Sequence, residues 1–426
     1  MVSARSSVWL LLLVLVGAGI LRGFSVSWNI VPHSDIEMDA SAAASFARDG
    51  RLLKSDTATT MEVPADLYLA QHPPVMPILA GALTVARGAP AQYDNAYFSL
   101  RLVSMASGLL LILLGFLVGS RLLGHSAGLM IALWMALSYL LIDFSGNGAL
   151  YSLQAAFYLL WVLATFLEHP RMKACAMGLA VALAYLTNFQ SIVLLPASVC
   201  LLLLQGKTWK MRCEQIALFF LVAAVGASPW LIRNQIIFGD AFRSHHVNNG
   251  YVLMKAGLGG DHVVTIFDWI DIVIGMLRVW IPNNLFYVAR KLFILAPIAF
   301  VFFSFAWIDY LFSWKRFTKM SPILLLFVCH LLISVAWPIT KFRFFVPMLP
   351  LVFLIAMEQL LSLPVKREQK LAWVGAITCS IAILSALTWN SIATHTYYFD
   401  GALTTDPFSG FQERDFMRTK GLLPSF

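Results

Sequence analysis

Charge is the scarcest ingredient of this sequence: 12% of its 426 residues are Asp, Glu, Lys or Arg, where soluble domains carry about 25%. With 59% hydrophobic residues, an ordinary water-facing surface is excluded, and most side chains must face lipid or one another. Cysteine is scarce as well. Cys175, Cys200, Cys213, Cys329 and Cys379 all fall in apolar segments or short basic connections, so no external disulfide is expected, and no Cys/His spacing marks a zinc site. A Gly-rich phosphate loop of the Walker type is missing, which argues against ATP coupling. The formal net charge is +8, yet the basic residues are dispersed and no basic patch with interleaved aromatics occurs. Nucleic acid is therefore not an expected partner.

What the chain does have is apolar helix. Eleven stretches reach or approach the roughly 20 residues that a membrane span requires. They centre on 8–28, 99–120, 126–142, 149–167, 174–188, 190–205, 216–235, 291–312, 321–338, 343–361 and 371–390. The first resembles a signal-peptide core, but Gly17-Ala18-Gly19 is a poor cleavage site and apolar residues resume after Arg22. The expected fold class is an all-α polytopic membrane protein with about eleven transmembrane helices. One transmembrane domain, 1–390, includes loops 29–98 and 236–290, and a short tail, 391–426, follows.

With the N-terminus in the cytoplasm, the basic clusters Arg171/Lys173, Lys207/Lys210/Arg212, Lys315/Arg316/Lys319 and Lys366/Arg367/Lys370 all fall inside, as does Arg121, in keeping with the positive-inside rule. The two long loops and the tail are then external. In this topology 17 of the 22 acidic residues lie outside, so carboxylate chemistry belongs to that face. A cysteine placed at Asp66 or Asn248 is expected to react with an impermeant thiol reagent from outside, and one at Lys210 or Arg367 is not. The reverse pattern would remove the external-face argument.

The first external loop opens on His33-Ser34-Asp35-Ile36-Glu37-Met38-Asp39, three carboxylates at alternate positions. From Asp39 to Arg51, Ala40, Ala43, Ala44 and Ala47 recur at helical spacing and Gly50 offers a stop, predicting a short helix along the membrane surface with the acids at its N-terminal end. By periodicity alone this is a solvated surface helix. His72-Pro73-Pro74 then stiffens the entry to an apolar segment, 75–86. Glu358 marks a polar pocket or reaches water, and His330 reads as a satisfied buried histidine.

The order of these features, with Arg101-Leu102-Val103-Ser104, Pro229-Trp230-Leu231-Ile232-Arg233-Asn234 and Arg343-Phe344-Phe345-Val346-Pro347-Met348-Leu349-Pro350, resembles the GT-C glycosyltransferases of the protein-mannosyltransferase and lipid A aminoarabinose-transferase type. The resemblance runs from about residue 8 to 390. It implies transfer of a sugar from a polyprenyl-phosphate donor to a lipid, glycan or protein acceptor at the external face, with inversion. It also implies an acidic motif in the first external loop, matched by Asp35 and Glu37, with Asp39 in reserve. The neutral run Tyr151–Gln154 and Asn188 depart from the family pattern, where relatives often carry charge.

The chemistry suits these residue types. A carboxylate within reach accepts the proton of the attacking hydroxyl, and cations stabilise the leaving phosphate, best as the planar fork of arginine. Arg343, Lys341, Arg233 and His72 are candidates for the donor phosphate, and the His245-His246 pair for phosphate or acceptor. Against this, basic residues at span ends often merely snorkel to the interface. A divalent cation, Mg²⁺ or Mn²⁺, is compatible with the acids, although one local loop makes a weak cage. The rival reading is a transporter or flippase for a lipid-linked or small polar substrate, which would need ionisable residues along its path.

Overall fold

In the computed structural model, the described residues are 4–28, 34–54, 68–69, 72–206, 208–243, 273–274, 277–278, 281–336 and 342–394. The chain is helical throughout this set, apart from turns and one isolated antiparallel bridge between Leu53 and Tyr68. The helices are α1 (Ala4–Trp28), α2 (Ser34–Asp49), α3 (Val75–Ala86), α4 (Tyr93–Leu123), α5 (His125–Leu137), α6 (Tyr139–Asp143), α7 (Tyr151–Ala164) and α8 (Pro170–Tyr185). A 3-10 turn, Phe189–Val193, leads into α9 (Leu194–Gln205), followed by α10 (Trp209–Phe238), α11 (Ile281–Leu295), α12 (Pro297–Phe312) and α13 (Trp314–Ala336). A second 3-10 turn, Phe342–Phe345, precedes α14 (Leu349–Ser362) and α15 (Arg367–Thr394).

Five of these, within α1, α4, α10, α13 and α15, are long and apolar enough to cross a membrane, and shorter apolar helices pack among them. α14 is the axis of the bundle: every residue from Leu349 to Leu360 is buried. α1, α10 and α15 instead turn large apolar side chains outward, among them Trp9, Leu221 and Ile383. Such continuous exposed apolar surface fits lipid rather than water. The protein is an integral membrane protein of all-α class.

Three expected spans differ in outline. The stretch 126–142 is broken at Ser138, whose extended backbone separates α5 from α6. Inside an apolar bundle the freed backbone groups must find partners, and they do. The Ser385 hydroxyl donates to the Leu137 carbonyl and accepts from the Tyr139 amide. The fully buried Arg22 guanidinium donates to the carbonyls of Ala18, Met135, Ala136 and Leu141 at 3.3–3.5 Å. The stretch 291–312 is two helices, parted where Pro297 starts α12, because proline has no amide to continue the preceding helix. α11 begins at Ile281, so the loop expected to run to 290 is shorter. The stretch 343–361 becomes helical only at Leu349, after Pro347, leaving Arg343 in a 3-10 turn.

The surface helix exists as α2, but it is not a solvated one. Ala40, Ala42, Ala43 and Ala44 are fully buried, and the helix packs on α3 and α4. Its stop is Gly50, at φ +75°, a conformation that costs glycine little. Small residues let α2 and α3 approach closely. A Cβ on Gly81 would lie 2.7 Å from the Ala43 carbonyl oxygen and 2.8 Å from Phe46 Cδ1. Gly81→Ala is accordingly expected to lower stability by about 1–3 kcal/mol through overpacking, seen as a lower melting temperature in detergent. Gly17→Ala, where nothing lies within 4 Å, should be neutral or slightly stabilising. Equal melting temperatures for the two variants would contradict the close α2–α3 contact.

Candidate active site

The acids of the first loop sit at the start of α2, where the helix N-terminus favours negative charge. Glu37 and Asp39 do not face the same way. Residues two apart on a helix point to different sides, and Glu37 is exposed whereas Asp39 is 2% exposed. Asp35 lies in the same first turn, its side chain outside the described set. The buried carboxylate is held by the stiff corner ahead of α3: His72 Nδ1 lies 2.9 Å from Asp39 Oδ1. The corner itself is tied to the end of α8, the Val75 amide donating to the Leu186 carbonyl. Asp49, at the far end of α2, hydrogen-bonds Arg51 at 2.7 Å, which holds its carboxyl below the usual carboxylate range. It stays ionised and surface-bound, away from His72.

Next to α2 lies the turn between α6 and α7. Residues 141–150 are all buried, and hydroxyls stitch the turn together. Ser104 on α4 donates to the carbonyls of Phe144 and Ala149, while Ser152 donates to Phe144. Gly148 takes φ +89°, and a Cβ there would lie 3.3 Å from Ile36 Cγ2 on α2 and 3.5 Å from Tyr97 on α4. Three residues on, Tyr151 presents its ring to Arg343, 5.7 Å from the guanidinium carbon to the ring centre. This turn thus joins the acidic start of α2 on one side to the Arg343 turn on the other.

The candidate cations divide. Arg343 is 8% exposed in its 3-10 turn over Tyr151. Arg233 is engaged in holding the loop: it donates to the Leu69 carbonyl at 2.7 Å and to Asn234 Oδ1 at 2.8 Å, and its plane meets the rings of Trp230, Phe238 and Tyr68. His72 belongs with Asp39. Lys341, His245 and His246 lie outside the described residues. Sequence reasoning passed over Lys291 of α11, which is 4% exposed with its ammonium 5.2 Å from the Tyr287 ring centre. Tyr287 in turn packs on Phe345, two residues from Arg343. Arg22 was legible in principle as an ionisable residue inside an apolar run.

His330 is buried and bonded to Tyr158 and the Phe344 carbonyl. Glu358 sits at the opposite end of the bundle, in a bidentate pair with Arg316 at 2.7 and 3.0 Å that also engages Tyr310, Asp309 and Gln359. Among the described residues no three His, Cys, Asp or Glu side chains come together. Mg²⁺ and Mn²⁺ favour near-octahedral oxygen sets. One carboxylate and one imidazole at Asp39 and His72 do not by themselves meet that need.

Comparison with known proteins gives a family segment and a shared fold. Residues 71–232 match the model of the dolichyl-phosphate-mannose-protein mannosyltransferase family. That segment opens at the His72 corner and closes within α10, leaving Asp35–Asp39 and Arg343 outside it. No curated protein matches the chain in the sequence comparison. ArnT from Cupriavidus metallidurans bound to undecaprenyl phosphate is 15% identical, with a TM-score of 0.61, over 99% of this chain and 74% of its own. Its apo state gives 17% and 0.57 over the same shares. The archaeal oligosaccharyltransferase AglB from Archaeoglobus fulgidus, in complex with an inhibitory peptide and a dolichol-phosphate, is 12% identical with a TM-score of 0.58. That alignment covers all of this chain and 61% of AglB. At such identities the likeness is one of fold, shared with ArnT and AglB along nearly the whole of this chain. The matched family segment spans 162 of the 426 residues.

Proposed function

We propose that this protein is a membrane glycosyltransferase that moves a sugar from a polyprenyl-phosphate-linked donor to an acceptor hydroxyl at the external face of the membrane. The carrying observation is the buried turn Phe144–Tyr151, which joins the acid-bearing start of α2 to the cation-bearing turn at Arg343. Acids and cations on two sides of one point are what this reaction needs. The acceptor oxygen attacks the anomeric carbon as the bond from that carbon to the phosphate oxygen breaks. The hydroxyl proton passes to a carboxylate of Asp35 or Glu37, and the oxygen stays with the departing polyprenyl phosphate. Attack from the side opposite the phosphate inverts the anomeric centre. Arg343, with Lys291 beyond Phe345, supplies positive charge to the phosphate oxygens as negative charge grows there. Asp39 and His72 brace the start of α2 against the Pro-rich corner and leave the neighbouring carboxylates for the acceptor. The distribution of basic clusters supports the external side.

The alternative, a transporter or flippase, predicts a different fate for the substrate. Proteoliposomes carrying the protein would be supplied with radiolabelled polyprenyl-phosphate sugars and lipid, glycan or peptide acceptors. The expected result is label in an acceptor and free polyprenyl phosphate in equal amount. Label that changes leaflet while still attached to its carrier would replace the enzyme reading by the transporter.

A further inference from the structure

A polar chain runs through the apolar interior behind Arg343. Gln154 and Tyr158 on α7, Ser191 in the 3-10 turn before α9, and His330 on α13 are all fully buried. Gln154 Nε2 donates to the Tyr158 hydroxyl at 3.0 Å and to Ser191 Oγ at 3.2 Å, and its Oε1 accepts from Asn188 Nδ2 at 2.9 Å. The Tyr158 hydroxyl lies 3.1 Å from His330 Nδ1, and His330 Nε2 lies 3.1 Å from the carbonyl oxygen of Phe344.

The far end of the chain fixes every proton in it. A carbonyl oxygen only accepts, so His330 Nε2 carries the hydrogen, and in the neutral ring Nδ1 is then an acceptor. Tyr158 must donate to it, which leaves the phenol oxygen to accept from Gln154. The Gln154 amide has both hydrogens used, and its own oxygen takes the Asn188 hydrogen. One arrangement satisfies all the members. A partly satisfied chain in this setting would be worse than plain apolar packing. Within the 3-10 turn, the Arg343 and Phe345 carbonyls accept the amides of Val346 and Met348. The Phe344 carbonyl between them is taken by His330.

We propose that Gln154, Tyr158 and His330 are positioning residues, which set the depth and orientation of the Phe342–Phe345 turn and so the place where the Arg343 guanidinium meets the donor phosphate. The inference rests on the reading of Arg343 as a phosphate ligand. None of the three touches the reacting atoms. They act through the Phe344 carbonyl.

The test is equilibrium binding of undecaprenyl phosphate, with undecaprenol as the tail-only control, to the purified full-length protein. Tyr158→Phe keeps the ring and removes the donor, and His330→Leu removes the contact to Phe344. Each is expected to weaken undecaprenyl phosphate by about tenfold and to leave undecaprenol unchanged. His330→Gln, whose amide can still donate to the carbonyl, should recover most of the affinity. Combined with Arg343→Ala, Tyr158→Phe should cause no further loss, since the ligand it positions is gone. Tyr158→Phe binding the phosphate lipid as wild type does, weakening both lipids alike, or adding fully to Arg343→Ala would overturn the positioning role. If Arg343→Ala alone binds undecaprenyl phosphate as wild type does, the reading of Arg343 fails and the inference falls with it. A loss in Arg343→Ala with none in Tyr158→Phe, His330→Leu or His330→Gln removes the inference only.

Discussion

Glu37→Gln and Asp35→Asn are expected to lower turnover on the order of 10²–10⁴-fold in whichever of the two is the base, with little change in donor binding. Each replacement keeps size and polarity and loses only the capacity to accept a proton. Because Glu37 is exposed at the start of α2, its replacement disturbs no buried contact, so lost activity would report chemistry rather than folding. Asp49→Asn serves as the internal control. It sits beyond the buried alanine face with Arg51 as its partner, and its loss should leave turnover nearly unchanged. Asp39→Asn behaves differently again, because it weakens the contact to His72 at 2.9 Å. A moderate fall in both stability and turnover is expected from loosening the brace. Steady-state rates beside melting curves separate the three cases. Normal turnover in both Glu37→Gln and Asp35→Asn would make the acids solvated bystanders.

Arg343→Ala is expected to raise the KM for a polyprenyl-phosphate donor by about 10- to 100-fold, the span set by losing a hydrogen bond to a charged group worth about 1.5–3 kcal/mol. Arg343→Lys should fall between, because charge survives while the planar fork does not. Lys is also a poorer partner for the Tyr151 ring beneath it. Lys291→Met should act in the same direction with a smaller effect, since its ammonium is separated from the Arg343 turn by Tyr287 and Phe345. An unchanged KM in Arg343→Ala would return this residue to the ordinary role of a basic group at a span end.

Much of this molecule is legible along the chain because its determinants are local. The apolar segment 75–86 is α3 to the residue, bounded by Pro74 and the turn at Arg87-Gly88. Gly50 ends α2 as its permissive backbone suggests. The acids fall at a helix start, as the alanine period after them implies.

What escapes local reading depends on partners far away. The break at Ser138 has neither Gly nor Pro at the site, and is stabilised by Ser385 and Arg22. The Asp39–His72 pair spans 33 positions and the Tyr158–His330 bond spans 172. Three carboxylates at alternate positions look like one cluster on paper, yet the helix turns Glu37 away from Asp39. His72 and Arg233, expected at the donor phosphate, meet Asp39 and the Leu69 carbonyl across 33 and 164 positions.

The measurement that bears most directly on the account is single-turnover sugar transfer by wild type and by the Asp35→Asn/Glu37→Gln double variant, with the product's anomeric configuration determined alongside the release of polyprenyl phosphate. The wild type is expected to release one carrier phosphate for each sugar transferred and to give the inverted anomer. The double variant, still binding undecaprenyl phosphate normally, should transfer almost none. Full transfer by the double variant, or a product of retained configuration, would contradict a carboxylate base at the start of α2.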